Sequence, residues 1–116
     1  DVDHINAHGT STPLNDRAEA LAVRKLFGSA ADALTVTSTK GVTGHLLGAA
    51  GGVEAAFAVL AIRDGIVPPT ANLNRLDEAI DLDVVHGKPR RGRVQVALSN
   101  SFGFGGQNEA LLFAAA

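Results

Sequence analysis

The chain of 116 residues has no cysteine. That absence excludes a disulfide, a thiolate metal site and a thiol nucleophile within it. Net charge is also scarce: the formal value is −2, with no basic cluster of the kind that tracks a phosphate backbone. Nucleic acid is therefore not an expected partner. The densest basic run, Lys88-Pro89-Arg90-Arg91-Gly92-Arg93, reads as a solvated loop. No uninterrupted apolar run is long enough to span a bilayer. The most apolar segment, Leu46 to Ile62, carries Glu54 and several glycines, so a membrane is not an expected partner either. No secretory signal is visible, and the cytoplasm is the expected compartment. Four catalytic signatures are missing. There is no His-Glu-x-x-His and no Gly-x-Ser-x-Gly. The Lys40 loop lacks the ending of a phosphate loop, and Asn108 stands where a dinucleotide fingerprint needs its third glycine.

What is present is organised around Ser38-Thr39-Lys40-Gly41-Val42-Thr43-Gly44-His45-Leu46-Leu47-Gly48. Charged groups beside apolar runs are costly unless something pairs or uses them. The β-branched stretch Leu34–Thr37 before it predicts a strand. The segment after it predicts one long helix, from Thr43 or Gly44 to Asp64. Lys40 and His45 then sit on a strand-to-helix loop, the edge of an open α/β sheet where ligands bind. The helix is apolar nearly all round, and such a helix belongs between layers. One α/β layer covers one side of it, so a partner domain is expected outside this chain. The chain opens on Asp1 and enters a strand at once. It is expected to be a single domain, residues 1–116, of something longer.

Val2–Ala7 predicts a strand that runs into the turn-rich His8-Gly9-Thr10-Ser11-Thr12-Pro13. His4 and His8 would lie on one face of that strand but roughly 13 Å apart, too far to share a metal ion. His4 reads as a surface or packing residue. Asp16-Arg17-Ala18-Glu19 matches a capping box, so Asp16 and Glu19 read as caps. The helix they open is expected to run to Phe27, with Leu14, Ala18, Leu21 and Ala22 as its apolar face and Gly28 as its stop. Val67–Thr70 reads as an extended link. Asp83–Val85 predicts a short strand, Gly87–Gly92 a loop, and Val94–Ser99 a strand. The glycine-rich turn Asn100–Asn108 leads to a closing strand, Glu109–Phe113, paired with the strand before it as a hairpin.

Three loops carry chemistry: His8-Gly9-Thr10, Lys40 to His45, and Phe102 to Gly106. Each follows an expected strand. If those strands are parallel, all three emerge at one sheet edge. A histidine near a helix N-terminus is held neutral by the dipole and can donate to a developing oxyanion. Backbone N–H groups of a glycine turn can do the same. The half-site suits an enolate or a tetrahedral oxyanion at a thioester or carbonyl, with the nucleophile supplied elsewhere.

Three stretches resemble β-ketoacyl-acyl carrier protein synthases, and the elongating type II enzymes most closely. They are Asn6-Ala7-His8-Gly9-Thr10-Ser11-Thr12-Pro13-Leu14-Asn15-Asp16, Ser38-Thr39-Lys40 with Gly44-His45-Leu46-Leu47-Gly48-Ala49-Ala50-Gly51, and Asn100-Ser101-Phe102-Gly103-Phe104-Gly105-Gly106. The resemblance implies an α/β, thiolase-like fold: one half of an αβαβα architecture, with a mixed, mostly parallel sheet and a buried central helix. It implies decarboxylative Claisen condensation of an acyl-enzyme with malonyl-acyl carrier protein in fatty acid elongation. The nucleophilic cysteine would lie in an N-terminal half. By this matching His8 and His45 bind the malonyl thioester carbonyl and stabilise the enolate. Lys40 supports the site and is held by Glu54. Phe104 is the gating residue, and its N–H completes an oxyanion hole. Thr10, Thr12 and Phe102 contact the substrate arm. Asn6, Glu54, Ser99 and Asn100 match a structural monovalent-cation site. No cofactor is implied. The expected partners are acyl carrier protein, the N-terminal half and a second copy in a homodimer. A polyketide ketosynthase and a cysteine-less chain-length-factor-like subunit are the alternatives. Gly41-Val42 and Gln107 depart from the common pattern of the family. This chain alone is expected to be inactive.

Overall fold

Residues 2–116 are described by a computed structural model. The sheet has five strands, and all but the last contain a β-branched residue. They are β1 (His4–Asn6), β2 (Thr35–Thr37), β4 (Asp83–Val84), β6 (Val96–Phe102) and β7 (Asn108–Ala114). Their order in the sheet is β4-β2-β1-β6-β7. The first four are mutually parallel, and β7 returns antiparallel to β6 as the expected hairpin. A small antiparallel ribbon pairs β3 (Ile66–Val67) with β5 (Arg90–Arg91). The Gly87–Gly92 stretch, expected to be loop, thus contributes a strand. β6 also runs three residues further than expected, to Phe102, so the glycine turn is shorter.

Helix α1 (Pro13–Phe27) covers one face of the sheet and α3 (Ala50–Asp64) the other. The α1 face gathers Ile5, Ala7, Val23, Leu34 and Val36, and the α3 face gathers Ala58, Val67, Val85, Val94 and Ala97. Full burial of an Ile or Leu there stabilises by about 1.5–3 kcal/mol each. The sheet parity sorts β1 between the two layers. Ile5 and Ala7 face α1, whereas His4 and Asn6 face α3. His4 is buried rather than at the surface.

Two helix expectations are corrected. α1 starts at Pro13, after an extended Thr12, and no side chain caps it. Proline at the first helical position supplies the start instead. Leu14, Ala18, Leu21 and Ala22 form its exposed face; the buried side carries Glu19, Ala20 and Val23. The long helix expected from Thr43 or Gly44 begins only at Ala50; a one-turn α2 (Lys40–Thr43) and a 3₁₀ turn at Leu47–Ala49 precede it. Gly44 at φ 69° and Leu47 at φ 52° interrupt the right-handed run. α3 buries one face, with Ala50, Glu54, Ala58 and Ala61, and leaves Val59 and Leu60 exposed on the other. The central helix is therefore half-covered in this chain.

Candidate active site

Parallel β1, β2 and β6 end at one edge of the sheet, and the three chemistry-bearing loops emerge there together. β1 leads through Ala7 into His8-Gly9. Gly9 adopts φ 40°, and a Cβ on it would stand 2.6 Å from the Ser38 Cβ. Only glycine lets the chain turn this close to the end of β2. Ser38 Oγ then donates to the Gly9 carbonyl at 2.7 Å, tying the two loops.

This turn places the buried His8 ring against two others. The His8 and His45 rings stand edge-on, with centroids 5.6 Å apart and planes at 82°. The Phe102 ring lies 5.4 Å from His8. His8 Nδ1 is buried with no hydrogen-bond partner. Burial, and then the charge of Lys40 and the neighbouring His45, hold the His8 imidazole below its ordinary range; Glu54 and Asp16 oppose this.

His45 lies between α2 and the 3₁₀ turn, exposed, and not on a helix N-terminus as expected. Its orientation has another cause. The Leu47 N–H donates to His45 Nδ1 at 3.2 Å. A backbone amide can only donate, so Nδ1 presents its lone pair and the ring proton sits on Nε2. His45 is thereby a hydrogen-bond donor at its outer nitrogen.

Beneath the two histidines Lys40 Nζ donates to Glu54 Oε1, and both side chains are almost fully buried. α3 supplies Glu54 from its buried face. Such a pair is stable only as a pair, because either charge alone would be stranded.

The backbone of the His8 turn is held by a residue that the sequence reading took for a cap. Glu19 Oε1 accepts from the His8 N–H and Oε2 from the Gly9 N–H, each at 2.9 Å. Asn100 Nδ2 also donates to Glu19, at 3.1 Å. Glu19 is four residues before Val23 and eight before Phe27, on the buried side of α1. That spacing was its signal in the sequence.

The remaining expected residues divide. Thr10 and Thr12 pair through their hydroxyls at 3.0 Å at the mouth. Phe104 is fully exposed on the 3₁₀ turn Phe104–Gly106, so its ring is not brought to the histidines; Phe102 is. Asn6 and Ser99 are register neighbours on the α3 side of the sheet. Asn6 Nδ2 donates to the Glu54 carbonyl at 3.3 Å, and Ser99 Oγ is buried without a partner. Those three fit an oxygen-lined cation site. The Asn100 side chain does not join them. It follows Ser99 by one residue, points to the opposite face and is committed to Glu19.

A cavity of about 350 Å³ continues from this edge under α1 and the segment 70–84. Ala20, Val36, Leu76 and Ile80 form its apolar wall, and Lys40 and His45 also line it. Arg17 bonds Asp77 at 2.9 Å and Arg24 reaches Asp81 at 3.2 Å, fastening that segment to α1. No helix among the described residues is long and apolar enough to cross a membrane.

An α/β fold that gathers two histidines and a lysine–glutamate pair at one parallel-strand edge defines a class. Residues 1–74 match the beta-ketoacyl synthase C-terminal domain, and the chain belongs to that family. Among curated relatives, 3-oxoacyl-[acyl-carrier-protein] synthase 2 of Coxiella burnetii is 55% identical over 111 residues, 96% of this chain. The enzyme of the same name from Synechocystis is 54% identical over 97% of this chain. The chain spans 27% of the length of each. Among solved structures, a beta-ketoacyl synthase from Burkholderia phymatum superposes with TM-score 0.92 at 35% identity, over 99% of this chain and 28% of that one. A type II polyketide ketosynthase in complex with its acyl-carrier protein gives 0.95 at 34% identity, with the same shares covered. The fold is accordingly the thiolase-like α/β fold of ketosynthases.

Proposed function

We propose that this chain is the C-terminal catalytic portion of a β-ketoacyl-acyl carrier protein synthase acting in fatty acid elongation. The observation that carries the reading is the edge-on pair His8–His45 at the ends of parallel strands, above the buried Lys40–Glu54 pair. The 51–55% identity to 3-oxoacyl-[acyl-carrier-protein] synthase 2 enzymes, against 33–34% to three ketosynthases solved with a chain length factor or in a type II polyketide complex, favours elongation over polyketide synthesis.

In this mechanism the malonyl thioester carbonyl sits between the two imidazoles and accepts a hydrogen bond from each. The bond to the carboxylate breaks, carbon dioxide leaves, and the electron pair passes into the enolate. Preorganised donors aimed at the oxygen stabilise that charge more than the ground-state carbonyl. The enolate carbon then attacks the acyl thioester on a cysteine outside this chain, and the cysteine thiolate leaves. Lys40 sets the local field and fixes α2 through Glu54. Thr10, Thr12 and Phe102 receive the carrier arm, and the exposed Phe104 turn faces the arriving domain. Asn6, Ser99 and Glu54 would hold a monovalent cation, which supplies structural charge when bound. The partners are acyl carrier protein, the N-terminal half and a second copy; the setting is the cytoplasm. The chain alone lacks a nucleophile and does not condense.

The test is His8→Ala and His45→Ala in the full-length synthase, assayed with malonyl-acyl carrier protein. Each is expected to abolish condensation while the fold survives. Parent turnover in either variant would rule the role out. Product analysis with purified carrier proteins separates the polyketide reading.

A further inference from the structure

α2 is a single turn of four residues, closed by the Val42 and Thr43 N–H groups to the Thr39 carbonyl at 3.0 and 3.2 Å and by the Gly44 N–H to the Lys40 carbonyl at 2.9 Å. A turn that short does not hold itself in water. Yet it carries Lys40 and launches the chain to His45. Its outer side is braced by residues 68–72. Thr37 Oγ1 donates to the Pro68 carbonyl at 2.8 Å, and Thr70 Oγ1 accepts from the Ser38 N–H at 3.1 Å. Asn72 Nδ2 donates to the Gly41 carbonyl at 2.9 Å. The approach is close enough that a Cβ on Gly41 would stand 2.3 Å from the Ala71 carbonyl oxygen. Asn72 itself adopts φ 64°, a left-handed conformation that few residues other than glycine and asparagine occupy readily. That conformation turns the side-chain amide toward α2.

We propose that Asn72 is a positioning residue: it latches α2 through the Gly41 carbonyl and so sets the placement of Lys40 and His45. Gly41 is the other half of the latch, because only a residue without Cβ lets the Ala71 carbonyl come this near. Asn72 also lines the same cavity as Lys40 and His45. The proposal rests on the condensing-enzyme reading for its catalytic consequence, but the mechanical claim stands apart from it.

The experiment uses the full-length synthase with Asn72→Gly and Asn72→Asp. Glycine keeps the left-handed backbone and removes the donor; aspartate keeps the size and faces an accepting carbonyl with another acceptor. Hydrogen exchange reads the latch directly. The amides of Val42, Thr43 and Gly44 should exchange faster in both variants, with the thermal midpoint close to the parent. Kinetics read the consequence. Acyl loading onto the cysteine should be unchanged, whereas malonyl decarboxylation should fall about fivefold in kcat, the size of one hydrogen bond. Gly41→Ala, which pushes from the other side, should give the same split. Parent exchange at residues 42–44, or an equal fall in loading and decarboxylation, would overturn the latch. If His45→Ala decarboxylates at the parent rate while exchange still accelerates in Asn72→Gly, the functional reading fails and the latch survives.

Discussion

The Glu19 carboxylate bridges two consecutive amides, those of His8 and Gly9, and anchors the turn on which His8 stands. A helix on one face of the sheet thus fixes the turn that carries the His8 ring. Hydrogen bonds to a buried charge are worth about 1.5–3 kcal/mol. Glu19→Gln keeps the shape but offers one oxygen to two amides and turns an NH₂ toward the other. It should cost about 2 kcal/mol in denaturant unfolding and lower condensation more than acyl loading. Unchanged stability would show that the amides find other partners.

The buried pair Lys40–Glu54 predicts an asymmetry between single and double variants. Lys40→Met or Glu54→Leu alone strands a charge and should destabilise by about 3–5 kcal/mol. The double variant Lys40→Met/Glu54→Leu should recover most of that stability, because no charge remains to be compensated. It should not recover condensation. A double variant as unstable as the singles would mean that packing, not charge, dominates at this position.

His4 reports on acid stability. It donates from Nδ1 to the Thr35 carbonyl at 3.1 Å, and its Nε2 is buried without a partner. Burial lowers its pKa to about 4, against the partly opposing hydrogen bond to Thr35. The unfolded chain takes up this proton near the ordinary value of about 6.5, the folded chain only near 4. Stability from this group is therefore intact above pH 6.5 and falls as the pH drops toward 4. The loss approaches about 3 kcal/mol at 1.36 kcal/mol per pH unit. Urea midpoints at pH 7 and pH 4 should converge in His4→Leu relative to the parent. An identical pH slope in both proteins would remove His4 from the account.

These residues show what was legible in the sequence. The parallel-strand edge was, because Ile5, Val36 and the alternating β6 each precede a loop with a glycine and a chemical side chain. His8, Lys40 and His45 converge as that pattern implies. The break between α2 and α3 was not. Apolar periodicity runs on through Leu46 and Leu47, and nothing local announces that a leucine will take a left-handed conformation. Glu19 was masked by its spacing from Asp16, which imitates a cap; the true start depends on Pro13. The outward leucines of α1 misled because the side turned to the sheet is the one that carries Glu19 to the His8 and Gly9 amides.

Leu47 carries its own prediction. The left-handed residue costs about 1–2 kcal/mol for a side chain with Cβ, yet it aims the amide at His45 Nδ1. Leu47→Gly keeps that amide in place and should be at least as stable, since the side chain is 77% exposed and loses little burial. Leu47→Val, branched at Cβ, should destabilise by about 1–2 kcal/mol. It should also release the ring, seen as mixed tautomers in the ¹⁵N imidazole spectrum of His45. A single Nε2–H tautomer in Leu47→Val would separate the amide from the tautomer.

The most direct measurement is a crystal structure of the full-length synthase with a malonyl thioester analogue that cannot lose its carboxylate. The thioester carbonyl oxygen should lie within about 2.7–3.2 Å of Nε2 of both His8 and His45, the range of N–H···O hydrogen bonds. An oxygen bound by one imidazole only, or by neither, would contradict the claim that the two rings act on a single carbonyl.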